Sequence, residues 1–129
     1  MPNTPSIISL HLRYRLWIAE MNFDINVMRI FEDYLAELSP KSSEPGVKAV
    51  IDRFEKEFIS SRKEIDELRH EMHILKMKLA AYSRENQAIT DEIYKVDNHA
   101  ALKSRYLTFR KSFEQLKTDF NEIESKWPH

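Results

Sequence analysis

Residues 51–82, "IDRFEKEFISSRKEIDELRHEMHILKMKLAAY", decide the fold because large apolar residues recur along them in alternating steps of three and four. Such a seven-residue repeat puts its apolar members on one face of an α-helix, as in coiled coils and helical bundles. The members are Ile51, Phe54, Phe58, Ser61, Ile65, Leu68, Met72, Leu75, Leu79 and Tyr82. The segment therefore predicts a long helix that packs against other helices along its whole length.

Two further helices are predicted on either side of this segment. The C-terminal repeat consists of His99, Leu102, Tyr106, Phe109, Phe113, Leu116, Phe120, Ile123 and Trp127. The N-terminal stripe consists of Ile7, Leu10, Tyr14, Trp17, Met21, Asp24, Met28, Phe31, Leu35 and Leu38. The one linker rich in Pro, Ser and Gly is 39–46, "SPKSSEPG", and residues 83–98 are more polar than the repeats. We predict helices over residues 5–38, 44–85 and 98–126.

The composition favours an all-α chain. Of 129 residues, 42% are hydrophobic and 32% charged, and only one is glycine. Sheets joined by tight turns need residues that tolerate positive φ, whereas long helices do not. Short connections between helices make neighbouring helices antiparallel. We expect a single domain over residues 1–129, folded as an elongated antiparallel up-down-up three-helix bundle with coiled-coil-like heptad packing.

Several classes of function are disfavoured by what the chain lacks. With no cysteine, it has no disulfide, thiol nucleophile or Cys-based zinc site, and one glycine cannot build a phosphate-binding loop. No stretch reaches the roughly 18–20 apolar residues of a membrane span. Acidic and basic residues are interleaved at a net charge of −1, which gives no block for nucleic acid to bind. The N-terminus lacks a secretory pattern. We expect a cytoplasmic protein, more readily an interaction protein than an enzyme, that binds neither membrane nor nucleic acid.

Helix 1 carries more apolar residues than packing on one side requires. Of the 32 residues from Ile7 to Leu38, 20 are apolar. Those beyond the main stripe form a second stripe about 110° around the helix. Its members are Leu16, Phe23, Val27, Ile30 and Tyr34. Since each helix of a three-helix bundle has only two neighbours, we predict that this stripe meets another chain, in a homodimer or with a partner helix. A helix 1 wedged between the other two is the alternative.

A carboxylate, Asp24, interrupts the main stripe of helix 1. Folding helix 1 back on helix 2 about the linker brings Asp24 level with Ser61, the polar member of the helix 2 repeat. Arg110 or Ser112 of helix 3 can complete this layer. Because an unpaired buried carboxylate is costly, Asp24 and Ser61 predict a hydrogen-bonded polar layer that sets the helix register. A general acid or base in a pocket is the functional alternative.

The stretch "ELRHEMH", residues 67–73, has the spacing of a metal site. His70 and His73 share a helix face, and Glu67 precedes His70 by three residues, as in di-iron bundles. The antiparallel arrangement brings His11 and His99 to the same end of the bundle. These five residues are therefore the candidate ligands for a divalent transition metal such as zinc, nickel, copper or iron.

Two observations weigh against this metal site. Glu-x-x-His occurs only once in the chain, whereas a di-iron bundle needs two copies and two more glutamates. His70 and His73 also lie opposite the core-facing Leu68 and Met72. The stretch is thus better interpreted as an exposed or interface turn of helix 2, and a metal-binding bundle is the alternative function.

The chain resembles small helical-bundle proteins of bacteria that have no established activity. The segments that carry the resemblance are "LWIAEMNFDINVMRIFEDYLAEL", "IDELRHEM" and "FEQLKTDFNEIESKW", and it extends over most of the chain. The resemblance implies a bacterial cytosolic protein and supplies no site residues.

Overall fold

The computed structural model describes residues 7–41, 44–84 and 99–127. In order along the chain these form α1 (Ile7–Leu38), a short 3-10 helix (Ser39–Lys41), α2 (Pro45–Arg84) and α3 (His99–Glu124). All regular structure within these ranges is helical, which confirms the all-α prediction for this part of the chain.

The helix ends follow local sequence. α1 ends at Leu38, where the linker rich in Pro and Ser begins. Pro45 opens α2, a position whose N–H would have no intrahelical partner, so proline costs nothing there. The Glu44 carbonyl accepts a backbone hydrogen bond from the Lys48 N–H at 3.0 Å, at the start of the helix. The predicted helix limits at residues 5, 85 and 98 lie outside the described residues.

All three helices contribute to one apolar core. The buried residues of α2 are Ile51, Phe54, Phe58, Ile65, Leu68, Met72, Leu75 and Leu79. Those of α3 are Leu102, Tyr106, Phe109, Phe113, Leu116 and Phe120. They coincide with apolar members of the two predicted repeats, because those members share one helix face. The repeat therefore selects the buried side of each helix.

The core of α1 is wider than its main stripe. The buried apolar residues of α1 are Leu10, Tyr14, Ile18, Met21, Ile25, Met28 and Leu35. Ile18 and Ile25 belong to neither predicted stripe. They lie on the same side of α1 as Asn22, whose side-chain oxygen accepts a hydrogen bond from Arg69 of α2 at 2.9 Å. Contact with α2 thus extends the buried surface of α1 beyond the stripe.

An aromatic cluster joins the three helices near the 3-10 helix. Phe120 of α3 is at its centre, with ring centroids 5.1 Å from both Phe31 of α1 and Phe54 of α2. Both contacts are edge-to-face, and Phe31 stacks on Phe58 at 4.9 Å. Edge-to-face and offset stacked rings add to the free energy gained from burial alone. Phe120 is therefore the residue whose loss should open the core most.

Polar contacts indicate which ends of the helices meet. Glu32 of α1 pairs with Arg62 of α2 at 3.1 Å, and Asn22 pairs with Arg69, so partner numbers run in opposite orders along α1 and α2. Between α1 and α3 the numbers rise together, with separations of 85–90 residues. These contacts fix the side of α1 that remains uncovered.

Candidate interaction surface on the first helix

A row of large apolar side chains on α1 is exposed to solvent. We call this row the α1 apolar face; its members, each 49–77% exposed, are Ile8, Leu12, Leu16, Phe23 and Ile30. From Ile8 to Ile30 it extends about 33 Å, at 1.5 Å per residue. Because the members are separated by four or seven residues, they lie in one band along the helix. An exposed band of this kind indicates a surface that contacts another molecule.

The predicted second stripe and the α1 apolar face overlap in part. Leu16, Phe23 and Ile30 are exposed, whereas Val27 and Tyr34 are partly buried against the core of the same chain. The Tyr34 hydroxyl donates a hydrogen bond to Glu124 Oε1 of α3 at 2.9 Å. Val27 and Tyr34 thus form the edge of the stripe nearest α3, and most of their surface is already covered.

Two exposed members, Ile8 and Leu12, are missing from the predicted stripe. They precede Leu16 by eight and four residues, so they continue the same band toward the start of α1. Extending the stripe in steps of four would have identified both. Their addition makes the exposed band continuous over the first turns of α1.

Other exposed large apolar residues in the described ranges are scattered. Ile59 and Met77 lie on α2, at 66% and 68% exposure, and are eighteen residues apart. Ile74 is near Met77, and Leu107 is on α3. Single exposed apolar residues are normal on protein surfaces. Ile59 and Met77 match Phe23 and Ile30 in exposure, at 66% and 68%, and so provide controls.

A seam of polar contacts joins α1 to α3. It consists of the pairs Tyr14–His99, Glu20–Tyr106, Asp24–Arg110 and Tyr34–Glu124. Tyr106 donates to the Glu20 carboxylate, and burial together with this hydrogen bond raises the pKa of Tyr106. Since each partner lies 85–90 residues further along the chain, the seam holds α1 and α3 in a single register.

Asp24 is the buried charge of this seam. It is 1% exposed, and its carboxylate accepts a hydrogen bond from the guanidinium of Arg110. Burial raises the pKa of Asp24, while the neighbouring cations Arg110 and Lys117 oppose that rise. Ser61 is half-buried and instead lines a groove between α2 and α3, together with Ser112. The charged partner of Asp24 is thus Arg110, because a guanidinium compensates a buried carboxylate better than a hydroxyl does.

His99 is part of the packing between α1 and α3. The Tyr14 hydroxyl lies 2.5 Å from His99 Nδ1, and the imidazole stacks on Trp17 with centroids 6.3 Å apart. Burial lowers the pKa of His99, and the cations Lys103 and Arg13 lower it further. Burial in this aromatic layer therefore favours the neutral form of the His99 imidazole.

The remaining predicted metal ligands are Glu67, His70, His11 and His73. Glu67 lines the groove between α2 and α3, and His70 is exposed. Burial lowers the pKa of His11 and of His73, and Lys76 contributes to the lowering in both cases. Within residues 7–41, 44–84 and 99–127, no three His, Asp or Glu side chains are close enough to share a metal ion. The metal-like spacing of "ELRHEMH" thus does not converge into a site in this part of the chain.

Comparison with known proteins gives no relative from which to transfer a function. The chain matches no protein-family model, no curated protein and no solved structure. The resemblance to bacterial helical bundles therefore stays a prediction. In the described ranges, no helix carries an apolar stretch long enough for a membrane crossing.

Proposed function

We propose that this protein is a non-enzymatic interaction protein whose α1 apolar face docks a helix of another chain. In this proposal the described helices are the core of an elongated antiparallel up-down-up bundle with coiled-coil-like packing. The observation that carries it is the exposure of Phe23, Ile30 and Leu16 in one band on a helix whose opposite side is fully packed. Helices that bind other helices present anchors at such spacings.

The energetics support docking at this surface. Full burial of a large aliphatic or aromatic side chain stabilises by about 1.5–3 kcal/mol. Five side chains that are 49–77% exposed retain about half or more of that free energy for a partner. Elsewhere in the described residues the exposed apolar side chains offer no comparable gain, since Ile59, Met77 and Leu107 are well separated along the chain or lie on different helices.

The groove between α2 and α3 supports an enzymatic function less well than the α1 apolar face supports docking. Its volume is about 620 Å³, and its walls carry Ser60, Ser61 and Ser112 together with Glu64 and Arg105. Arg105 pairs with Glu64 at 3.7 Å and reaches Glu71 on the same helix. No histidine is among the described lining residues, so none of these serines has an imidazole base beside it. We interpret the groove as ordinary space between two helices.

Other parts of the proposal rest on the sequence alone. The cytoplasmic location, the bacterial origin and the lack of nucleic-acid binding stay predictions from composition, charge pattern and resemblance. They are compatible with a small bundle that acts by binding another helix.

The test replaces Phe23 and Ile30 together by glutamate, with Ile59→Glu plus Met77→Glu as the matched control. Both variants should fold, as judged by helical circular dichroism and urea unfolding. Only the first should lose association in light scattering coupled to size-exclusion chromatography, because only it places charge on the α1 apolar face. If the first variant unfolds, Phe23 and Ile30 are ordinary core residues and the proposal is wrong. It is equally wrong if both variants associate as the wild type does.

A further inference from the structure

We propose that the partner helix is the α1 apolar face of a second copy of this chain, with the two α1 helices antiparallel about a two-fold axis at Phe23. This inference rests on the proposed function and adds to it the identity and direction of the partner. Three observations carry it: the spacing of the apolar residues, the distribution of charge along α1, and the exposure of the central residues.

Nine apolar residues along the exposed band of α1 have a spacing that is the same in both directions. This row adds the exposed Ala19 and the partly buried Val27, Tyr34 and Leu38 to the α1 apolar face. In order it is Ile8, Leu12, Leu16, Ala19, Phe23, Val27, Ile30, Tyr34 and Leu38. Successive steps along this row are four, four, three, four, four, three, four and four residues. A recurrence every eleven residues corresponds to 3.67 residues per turn, so the row remains nearly straight along the helix.

A palindromic row complements itself when one helix is reversed. Residue numbers 8 and 38, 12 and 34, 16 and 30, and 19 and 27 each add up to twice 23. When a second copy of α1 is reversed about Phe23, each residue of this row therefore lies opposite another residue of the row. The pairs brought level are Ile8 with Leu38, Leu12 with Tyr34, Leu16 with Ile30, Ala19 with Val27, and Phe23 with its own copy. A two-fold interface requires this self-complementarity.

The charge on α1 distinguishes antiparallel from parallel pairing. Residues 8–22 carry Arg13 and Arg15 against one acid, Glu20, which gives a net charge of +1. The exposed charges of residues 24–38 are Arg29 against Asp33 and Glu37, which gives −1, since Asp24 is buried against Arg110 and Glu32 pairs with Arg62. Antiparallel pairing places the basic half of each helix on the acidic half of the other, whereas parallel pairing sets like charges together. Complementary charge fixes orientation and register in helical pairs.

One ion pair follows from this geometry. Arg15 and Asp33 are both exposed and eighteen residues apart, so they lie five helical turns apart on the same side of the band. The two-fold axis brings Arg15 level with residue 31 of the other copy, about 3 Å along the axis from Asp33. A long arginine side chain spans that offset. The same pair forms twice, once at each end of the interface.

The experiment uses single cysteines, which the natural chain lacks altogether. Phe23→Cys, Leu16→Cys and Ile30→Cys are prepared separately, and Met77→Cys, equally exposed but on α2, is the control. Each protein, and an equimolar mixture of the Leu16 and Ile30 variants, is oxidised mildly with diamide. Covalent dimers are then measured on a non-reducing gel.

The antiparallel dimer predicts a specific pattern. Phe23→Cys should crosslink alone, because residue 23 faces its own copy, and the mixture should crosslink up to about half of its chains by random pairing. Leu16→Cys and Ile30→Cys should each remain uncrosslinked alone. In the proposed dimer equivalent residues at either position are about 21 Å apart along the axis, well beyond the roughly 7 Å Cα separation that a disulfide spans. Met77→Cys should not crosslink.

Two results would overturn the inference. Crosslinking of Leu16→Cys alone and Ile30→Cys alone would show a parallel pair, and crosslinking of none of the samples would show that no second copy occupies the face. The function itself is tested separately by the glutamate variants. If Leu16→Cys and Ile30→Cys each crosslink alone while Phe23→Glu plus Ile30→Glu remains folded but loses association, the docking function stands and only the antiparallel arrangement is wrong.

Discussion

The substitution of Phe23 and Ile30 by glutamate gives the sharpest quantitative prediction. In the free chain these side chains are 66% and 68% exposed, so their contacts contribute little to monomer stability. Surface substitutions of this kind change the free energy of unfolding by about 0.5 kcal/mol or less. We therefore expect urea unfolding of the variant to match that of Ile59→Glu plus Met77→Glu.

The effect on association should be much larger. Burying the exposed two-thirds of each side chain contributes about 1–2 kcal/mol, taken from about 1.5–3 kcal/mol for full burial. A two-fold dimer buries each residue twice, so four side chains account for about 4–8 kcal/mol. At 1.4 kcal/mol per power of ten, the dimer Kd should rise by about three to six powers of ten.

Sedimentation equilibrium over a range of concentrations measures this change in the dimer Kd. The wild type and the α2 control should share one Kd, and the α1 variant should be monomeric throughout. A Kd for the α1 variant within tenfold of the wild type would refute the reasoning. So would a loss of more than about 3 kcal/mol in its unfolding free energy relative to the control, because a loss of that size indicates core burial.

The core and the polar seam give three further predictions. Phe120→Ala should lower the free energy of unfolding by about 3–5 kcal/mol in urea, because it removes the centre of the aromatic cluster. Arg110→Ala should cost about 2–3 kcal/mol at pH 7, somewhat less than for a fully buried pair because the guanidinium is partly exposed. The loss caused by Arg110→Ala should become smaller in urea titrations at lower pH, because Asp24 then becomes protonated and burial already raises its pKa. A loss that does not change with pH would contradict the role of the Asp24 charge. Because the pKa of His99 is lowered, the folded state binds a proton at this residue less readily than the unfolded state does, so the stability of the wild type should fall as the pH drops below about 6.5. His99→Asn should make the free energy of unfolding depend less on pH in this range. An unchanged dependence would assign the effect to other groups.

The sequence was sufficient to predict which faces of α2 and α3 are buried. From Ile51 to Leu79, and again from Leu102 to Phe120, one face of each helix meets the core, so the seven-residue repeat directly marks the buried positions. The linker rich in Pro and Ser marks the end of α1 at Leu38 for an equally local reason.

The sequence was less informative for α1, because this helix has apolar residues on several sides. Ile18 and Ile25 are buried, whereas Phe23 and Ile30 are exposed, and these four residues are chemically similar. Which of them is covered depends on where the neighbouring helices lie around α1, and a single-helix pattern does not contain that information. The same limit applies to Tyr34, whose contact with Glu124 depends on the placement of α3.

For the polar residues, too, burial could be predicted from the sequence but the pairing could not. The position of Asp24 on the main stripe predicted its burial, since the other members from Leu10 to Leu38 are buried or partly buried in the core. Its pairing with Arg110, and that of Glu20 with Tyr106, depends on the offset of 86 residues between the contacting positions of α1 and α3, which a single-helix pattern does not contain. Among the described residues the candidate histidines form no group of three ligands, because equal height along a bundle does not by itself bring side chains together on one ion.

Native mass spectrometry tests the central claim most directly, because it reports the number of chains and any bound metal in one spectrum. The wild type, the Phe23→Glu plus Ile30→Glu variant and the Ile59→Glu plus Met77→Glu control are sprayed at the same concentration. We predict twice the 15.4 kDa chain mass for the wild type and the control, and the single chain mass for the α1 variant. The same mass for all three proteins would contradict the claim that the α1 apolar face is the association surface.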